Sequence, residues 1–259
     1  MNRPAPPDRQ LGLWFTIAAG LVAMTVWSGV SIGFSISELV CNAPGGSRLL
    51  RESWPPDFAF LPRLIGPFLE TVQIALIGTV VGAVIAIPVA VLAARPVSPN
   101  WLTWILDRNF MNILRTLPDL FWAMLFATAV GFGPLAGALA LSVFSVAVIS
   151  KLFSESVEAI DLNLTEAVRA SGGSWLQMIG LGALPQVWPQ YAAYVLYAFE
   201  LNVRGSMVLG LVGAGGIGMI LETQRANFEY ERVAMIILAV LVVVLLIEQF
   251  SIALRRRLT

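Results

Sequence analysis

Three groups of residues in this 259-residue chain have types and spacings that chemistry could use. Gly213-Ala-Gly-Gly-Ile-Gly218 fits G-x-G-x-x-G, a pattern that brings backbone amides against a pyrophosphate. That chemistry needs a strand–turn–helix unit around the glycines, and here only long apolar runs flank them. Gly213, Gly215, Gly216 and Gly218 are therefore expected to break the backbone between membrane spans, where protein or water surrounds it. Glu200 and Arg204 stand four residues apart, on one face of a helix. In apolar surroundings they are expected to face each other or a polar cavity, either as a structural ion pair or with Arg204 beside an anion pathway. Arg115 and Asp119 repeat the spacing across Pro118. The third group is Ser154, Ser156, Ser171 and Ser174, hydroxyls with no histidine anywhere to activate them. Paired carboxylates are also missing from the apolar blocks, so a hydrolase or intramembrane protease has no catalytic set.

Metal and nucleotide chemistry are excluded on similar grounds. With no histidine and a single cysteine, Cys41, neither a zinc or haem site nor an internal disulfide is expected. The only lysine, Lys151, follows no glycine-rich loop, so the chain has no P-loop, and any ATP must be bound by another polypeptide. The net charge is zero and the one basic tract is Arg255–Arg257, which leaves nothing to point to nucleic acid.

The elements that must position these residues read as membrane helices. The chain is 58% hydrophobic and 12% charged, about half the roughly 25% charge of a soluble domain. Its apolar residues fall in uncharged blocks, among them Gln10–Ser37, Thr71–Ala94, Leu120–Ser150, Gly205–Leu221 and Val233–Ile247. An all-α polytopic protein of about six transmembrane helices is expected. The spans lie near Leu11–Ile36, Leu64–Ala94, Trp101–Val130, Leu135–Phe153, Val187–Met207 and Arg232–Leu254. The first is read as an uncleaved span, since its apolar run is long for a signal peptide and no clean cleavage site follows. Residues 37–63 are expected to be a loop, punctuated at Asn42–Gly46 and at Trp54–Asp57. Gly78, Gly82 and Ala86 recur every four residues and give the second span a smooth face for close packing. Pro118 should kink the third. The organisation is thus 1–63, an arm, first helix and external loop, followed by a core at 64–259. Six spans put both termini on one side. Arg3, Arg9, Arg95, Arg108, Lys151, Arg169 and Arg255–Arg257 fall there too, which makes that side the cytoplasm.

One polar island remains, Lys151 to Pro185, with Glu155, Glu158, Asp161, Glu166 and Arg169. Short helices broken at Asn163 and at Gly172-Gly173 are expected within it. Within it, Glu166-Ala-Val-Arg-Ala-Ser-Gly172 followed by Leu184-Pro185 resembles the EAA loop of permease subunits in bacterial ATP-binding-cassette importers. That motif reads E-A-A, three residues, G, nine residues, I, one residue, L-P. Val168 replaces the second alanine, and Gly182 stands where isoleucine is usual. Asn112-Ile-Leu-Arg-Thr-Leu-Pro118 is similar to the N-x-x-R-x-x-P segment of the same permeases. The stretch Phe199–Gly218 looks like the phosphonate-uptake members, with Gly205 and Met207 departing from the usual Ser and Thr.

The resemblance implies a type I importer permease in the inner membrane. Two copies would pair around the pathway, two ATPases carrying ATP and Mg would dock beneath, and a periplasmic or lipid-anchored binding protein would deliver substrate. Glu166, Ala167, Arg169, Ala170 and Gly172 would then enter a groove of the ATPase, with Leu184-Pro185 as a hinge. Glu200, Arg204 and the four glycines would flank the pathway or gate. Phosphonate or phosphite is the implied cargo. A methionine-type permease is the runner-up within the class, and an ATP-independent secondary transporter the rival outside it.

Overall fold

The computed structural model describes residues 8–257 and contains helices, turns and no strand among them. Two compact units divide after Glu52. The first holds α1 (Asp8–Ser31) and α2 (Ile36–Glu52). The run Gly12–Ser31 of α1 is long and apolar enough to cross a membrane, and it is exposed almost throughout. Helix α2 occupies much of the expected loop and runs through the turn-forming residues Asn42–Gly46. Local bonds support it: Ser35 Oγ accepts from the Glu38 amide at 3.2 Å, and Arg48 pairs with Glu52 one turn on at 2.7 Å.

The second unit opens with a 3₁₀ turn, Phe58–Leu64, followed by α3 (Ile65–Ala93), α4 (Trp101–Thr116), α5 (Asp119–Val130) and α6 (Pro134–Glu158). Then come α7 (Leu162–Ala170), the short α8 (Trp175–Gln177) and a π turn, Met178–Ala183. Helices α9 (Leu184–Gly210), α10 (Gly216–Ala226) and α11 (Tyr230–Arg255) complete it.

Its core is the α3–α6 pair, and glycine sets their distance. A Cβ on Gly78 would lie 2.6 Å from the Leu141 Cβ, and one on Gly82 would run into the Ser145 Cβ. Alanines and serines line the rest of the seam, including Ala75, Ala83, Ala86, Ala138 and Ser142. The contacts Ile74 with Gly137, Gly78 with Leu141, Gly82 with Ser145 and Arg95 with Glu158 share one offset of 63 residues. A constant offset means that α3 and α6 run parallel. The chain between them must therefore recross the bundle, which makes α4 and α5 a single broken span and not a re-entrant loop. The two halves bend by 88° at Leu117-Pro118. Pro118 has no amide to donate and disfavours helix at the residue before it.

Helix α9 returns antiparallel. Its start is bonded to Asp161 at one end of the bundle, and the loop beyond it meets Thr71 and Pro134 at the other. Helix α11 is antiparallel in turn, since Glu200 reaches Arg255 while Arg204 reaches Glu248. By length and composition alone, four described helices can cross a membrane, and the bent pair makes a fifth. Helix α9 completes the six expected. At 27 residues it is about 40 Å long. It is less apolar because neighbours enclose it: Asn202 is fully buried and donates to Thr79 Oγ1 at 2.8 Å and Ser145 Oγ at 2.6 Å, joining α3, α6 and α9.

Candidate coupling and transport site

The polar island is shorter than its sequence indicates. Lys151–Glu158 continues α6, because Phe153, Ser154 and Val157 carry its buried stripe onward and Lys151 pairs with Glu155 at 2.8 Å. The break falls at Ala159–Asp161, just before Asn163, whose amide is capped by the Asp161 carboxylate at 3.0 Å. The second break is where it was expected. Gly172 has φ +84°, and the Gly173 amide reaches back to the Val168 carbonyl at 2.9 Å, closing α7.

Helix α7 has two different faces. Thr165 is buried and Val168 half-buried, against the bundle. Glu166, Ala167, Arg169 and Ala170 are exposed, and neither Glu166 nor Arg169 makes an ion pair among the described residues. Gly182 explains how the inner face fits. A Cβ there would stand 3.0 Å from the Thr165 Cα, so isoleucine, usual at this place in the EAA pattern, would push α7 off the π turn. Leu164 on α7, with Leu176 and Leu181 in the segment that follows, adds exposed apolar surface. Their prominence was hidden in the sequence, where they look like ordinary core leucines.

Two side chains tie this segment to the bundle, and sequence reasoning passed over both. The Gln186 amide pairs with the Asp161 backbone in both directions, accepting at 3.0 Å and donating at 3.1 Å, and it also donates to the Gly182 carbonyl at 2.6 Å. Trp175 Nε1 donates to the Val97 carbonyl at 2.7 Å, in the corner between α3 and α4. At that same end Glu158 accepts from the Arg95 amide at 3.3 Å and from Arg108 at 2.8 Å. Leu184 and Pro185 begin α9 with no break. The helix widens to a π turn just before them, where the Leu184 amide bonds the Ile179 carbonyl. Gln186→Leu is expected to speed amide hydrogen exchange in α7 about ten-fold, from loss of two or three bonds each worth about 0.5–1.5 kcal/mol, with α3 and α6 unaffected. Equal protection in variant and parent would refute the tether.

Glu200 and Arg204 do meet, at 2.8 Å, as half of a larger network. Glu200 is 7% exposed and takes Arg204 on one oxygen and Arg255 on the other, the latter at 3.0 Å. Arg204 also reaches Glu248 at 3.1 Å. Two carboxylates and two guanidinium groups balance and join α9 to α11. Arg115 and Asp119 form no such pair, since the 88° bend splays their helices.

The glycine-rich loop packs tightly where α9 passes into α10. Gly213, Gly215 and Gly216 have φ of +87°, +83° and +68°. Gly215, Gly216 and Gly218 are buried, and Gly213 is half-buried. A Cβ on Gly216 would lie 2.5 Å from Thr71 Oγ1, the atom that caps the Ile217 amide at 2.8 Å. A Cβ on Gly218 would strike the Met207 carbonyl. The structure thus places Glu166–Gly172 at one end of the bundle and Gly213–Gly218 at the other, with the Glu200 network between.

A parallel helix pair bridged by a broken span, with an exposed short helix between two spans, makes this a polytopic helical membrane protein. The chain belongs to the family of binding-protein-dependent transport system inner membrane components, whose family model matches residues 86–259. It is 38% identical over 249 residues to the phosphite transport system permease protein PtxC of Stutzerimonas stutzeri, covering 96% of this chain and 89% of that one. It is 34% identical over 232 residues to the phosphate-import permease protein PhnE of Mycolicibacterium smegmatis, covering 90% of this chain and 44% of that one. Among solved structures, a chain of the MetNI methionine ABC transporter in an inward-facing conformation superposes with a TM-score of 0.68. Its sequence identity is 22%, and the match covers 78% of this chain and 99% of that one, which establishes the type I importer permease fold.

Proposed function

We propose that this protein is the membrane permease of an ATP-driven importer for a small phosphorus oxyanion, phosphonate or phosphite. The observation that carries the coupling half of this reading is α7, whose outward face leaves Glu166, Ala167, Arg169 and Ala170 exposed and unpaired while its inner face is bonded down. Short side chains let such a helix sit deep in a groove, and the two charges offer charge-assisted hydrogen bonds at its rim. The cargo half is supported by relatives named for phosphite and phosphate transport. ATP and Mg sit on two partner ATPases, a binding protein delivers the anion, and a second copy of the chain completes the pathway. The Glu200–Arg204 network and the Gly213–Gly218 turn flank the gate. The coupling end and both termini face the cytoplasm, in line with Arg95, Arg108 and Lys151 lying toward that end of the core.

The test is co-expression with the ATPase and binding protein, followed by uptake of radiolabelled phosphite into proteoliposomes. Glu166→Lys and Gly172→Asp are each expected to lower ATPase copurification and stimulated hydrolysis at least ten-fold. Both positions are exposed, and Gly172 has open space around its Cα, so the fold loses only the strain of a left-handed residue, about 1 kcal/mol. Unchanged copurification and stimulation in both variants would sink the docking assignment.

A further inference from the structure

Arg204 was the residue that sequence reasoning offered to an anion, yet it is shared between Glu200 and Glu248. A cation without an ion pair lies elsewhere in the bundle. Where α4 breaks into α5, a cavity of about 320 Å³ opens, lined among others by Arg115, Pro118, Asp119, Trp122, Phe144 and Ala147. Phe144 and Ala147 sit midway along α6, so the cavity lies half-way through the bundle. Arg115 is exposed and makes no ion pair or hydrogen bond among the described residues. An unpaired arginine at this depth is costly unless it faces water or a ligand, and such residues mark substrate pathways. Trp122 contributes a second donor. Its Nε1 is buried and has no acceptor among the described residues, and a buried donor without a partner asks for an explanation.

We infer that Arg115 and the Trp122 indole N–H form a transient binding site for a small tetrahedral oxyanion, a waypoint of translocation at the α4–α5 break. This rests on the cargo reading above. The guanidinium presents a planar fork to two oxygens of the anion, and the indole donates to a third once its ring turns to bring Nε1 to the cavity. At roughly 30 Å³ per water, the cavity holds such an anion with several waters. Asp119 lines the same cavity and leaves it with no net charge. That keeps the hold weak, as a passage site requires, since an ion bound too tightly cannot leave. Asp119 also lies beside α9, with Oδ2 4.0 Å from where a Gly205 Cβ would stand. A shift of α9 relative to α5 would therefore reshape the site.

The experiment uses the complete transporter, permease with its ATPase and binding protein, in proteoliposomes. The readout is the number of phosphite, methylphosphonate or phosphate ions imported per ATP hydrolysed. Arg115→Gln is expected to lower this ratio at least ten-fold, Trp122→Phe about three-fold, and Arg115→Lys less than Arg115→Gln because the charge remains. An unchanged ratio in Arg115→Gln overturns the site. Should that variant fail to assemble, Trp122→Phe decides, since it keeps the ring and loses only the donor: a wild-type ratio overturns the site. Loss of thermal stability in step with the ratio in all three variants also overturns it, in favour of a structural arginine. A wild-type complex that imports none of the three anions defeats the cargo reading and this inference with it. Import by wild type alongside an unaffected Arg115→Gln defeats only the inference.

Discussion

Gly82→Leu is expected to abolish recovery of folded protein from detergent. At this position even a methyl group meets atoms that cannot rotate away. Beside the Ser145 Cβ, a Gly82 Cβ would stand 2.9 Å from the Ser142 carbonyl oxygen and 3.1 Å from the Val146 amide nitrogen. Relief requires α3 and α6 to move apart along the whole seam. Overpacking in a close-packed interior costs about 1–3 kcal/mol when neighbours can adjust, and more when they cannot. The separation has a second cost, because Asn202 holds Thr79 on α3 and Ser145 on α6 at once. Pulling those helices apart strips at least one hydrogen bond from a side chain that is fully buried. Gly82→Ala serves as the graded control, with a smaller drop in the thermal midpoint. The check is monodisperse yield and melting temperature in detergent. A Gly82→Leu protein that melts with the parent would show that the seam is not tight.

Glu200→Gln is the second large effect. One buried carboxylate pairs with Arg204 and Arg255 together, and the amide that replaces it carries no charge. Removing one partner of a buried ion pair costs about 3–5 kcal/mol. The lower end applies here, because the Arg204 side chain is 45% exposed and regains some hydration. We expect a loss of about 3 kcal/mol, seen as a lower melting temperature and as loosening of the C-terminal turn of α11. Arg255→Gln in the same background should recover part of the loss, since it removes a charge that has lost its Glu200 partner while Arg204 keeps Glu248. A double-mutant cycle measures that coupling. Additive losses would mean that Glu200 does not act through Arg255, and the latch between α9 and α11 would be disproved.

Much of this architecture was legible because the membrane writes itself into sequence. Uncharged apolar blocks located the spans to within a few residues, and Pro118 announced the break between α4 and α5. Gly78 and Gly82 announced a close helix seam. The EAA-like run located a helix ending at Gly172. These are local signals: a breaker acts on its own turn, and hydropathy acts on its own segment. Where local signals failed, a neighbour or a continuing helix had overridden them. The turn formers at Asn42–Gly46 lie inside α2. The charges of Lys151–Glu158 read as loop, yet they are the solvent side of α6, whose other side stays buried.

The sequence by itself determined that this is an all-helical membrane protein of the permease family, because composition and breakers set the helices and one spaced motif carried the resemblance to the family. Only the tertiary structure decided which charges are occupied and which are free. Glu200 could be paired with Arg204 from their spacing, but Arg255 and Glu248 join them from 55 and 44 residues away. Arg115 and Asp119 share that spacing, yet a bend of 88° separates them and leaves the arginine facing a cavity. Spacing along a chain predicts contact only while the helix continues. Once it breaks, the partners of a charge are set by how distant helices pack.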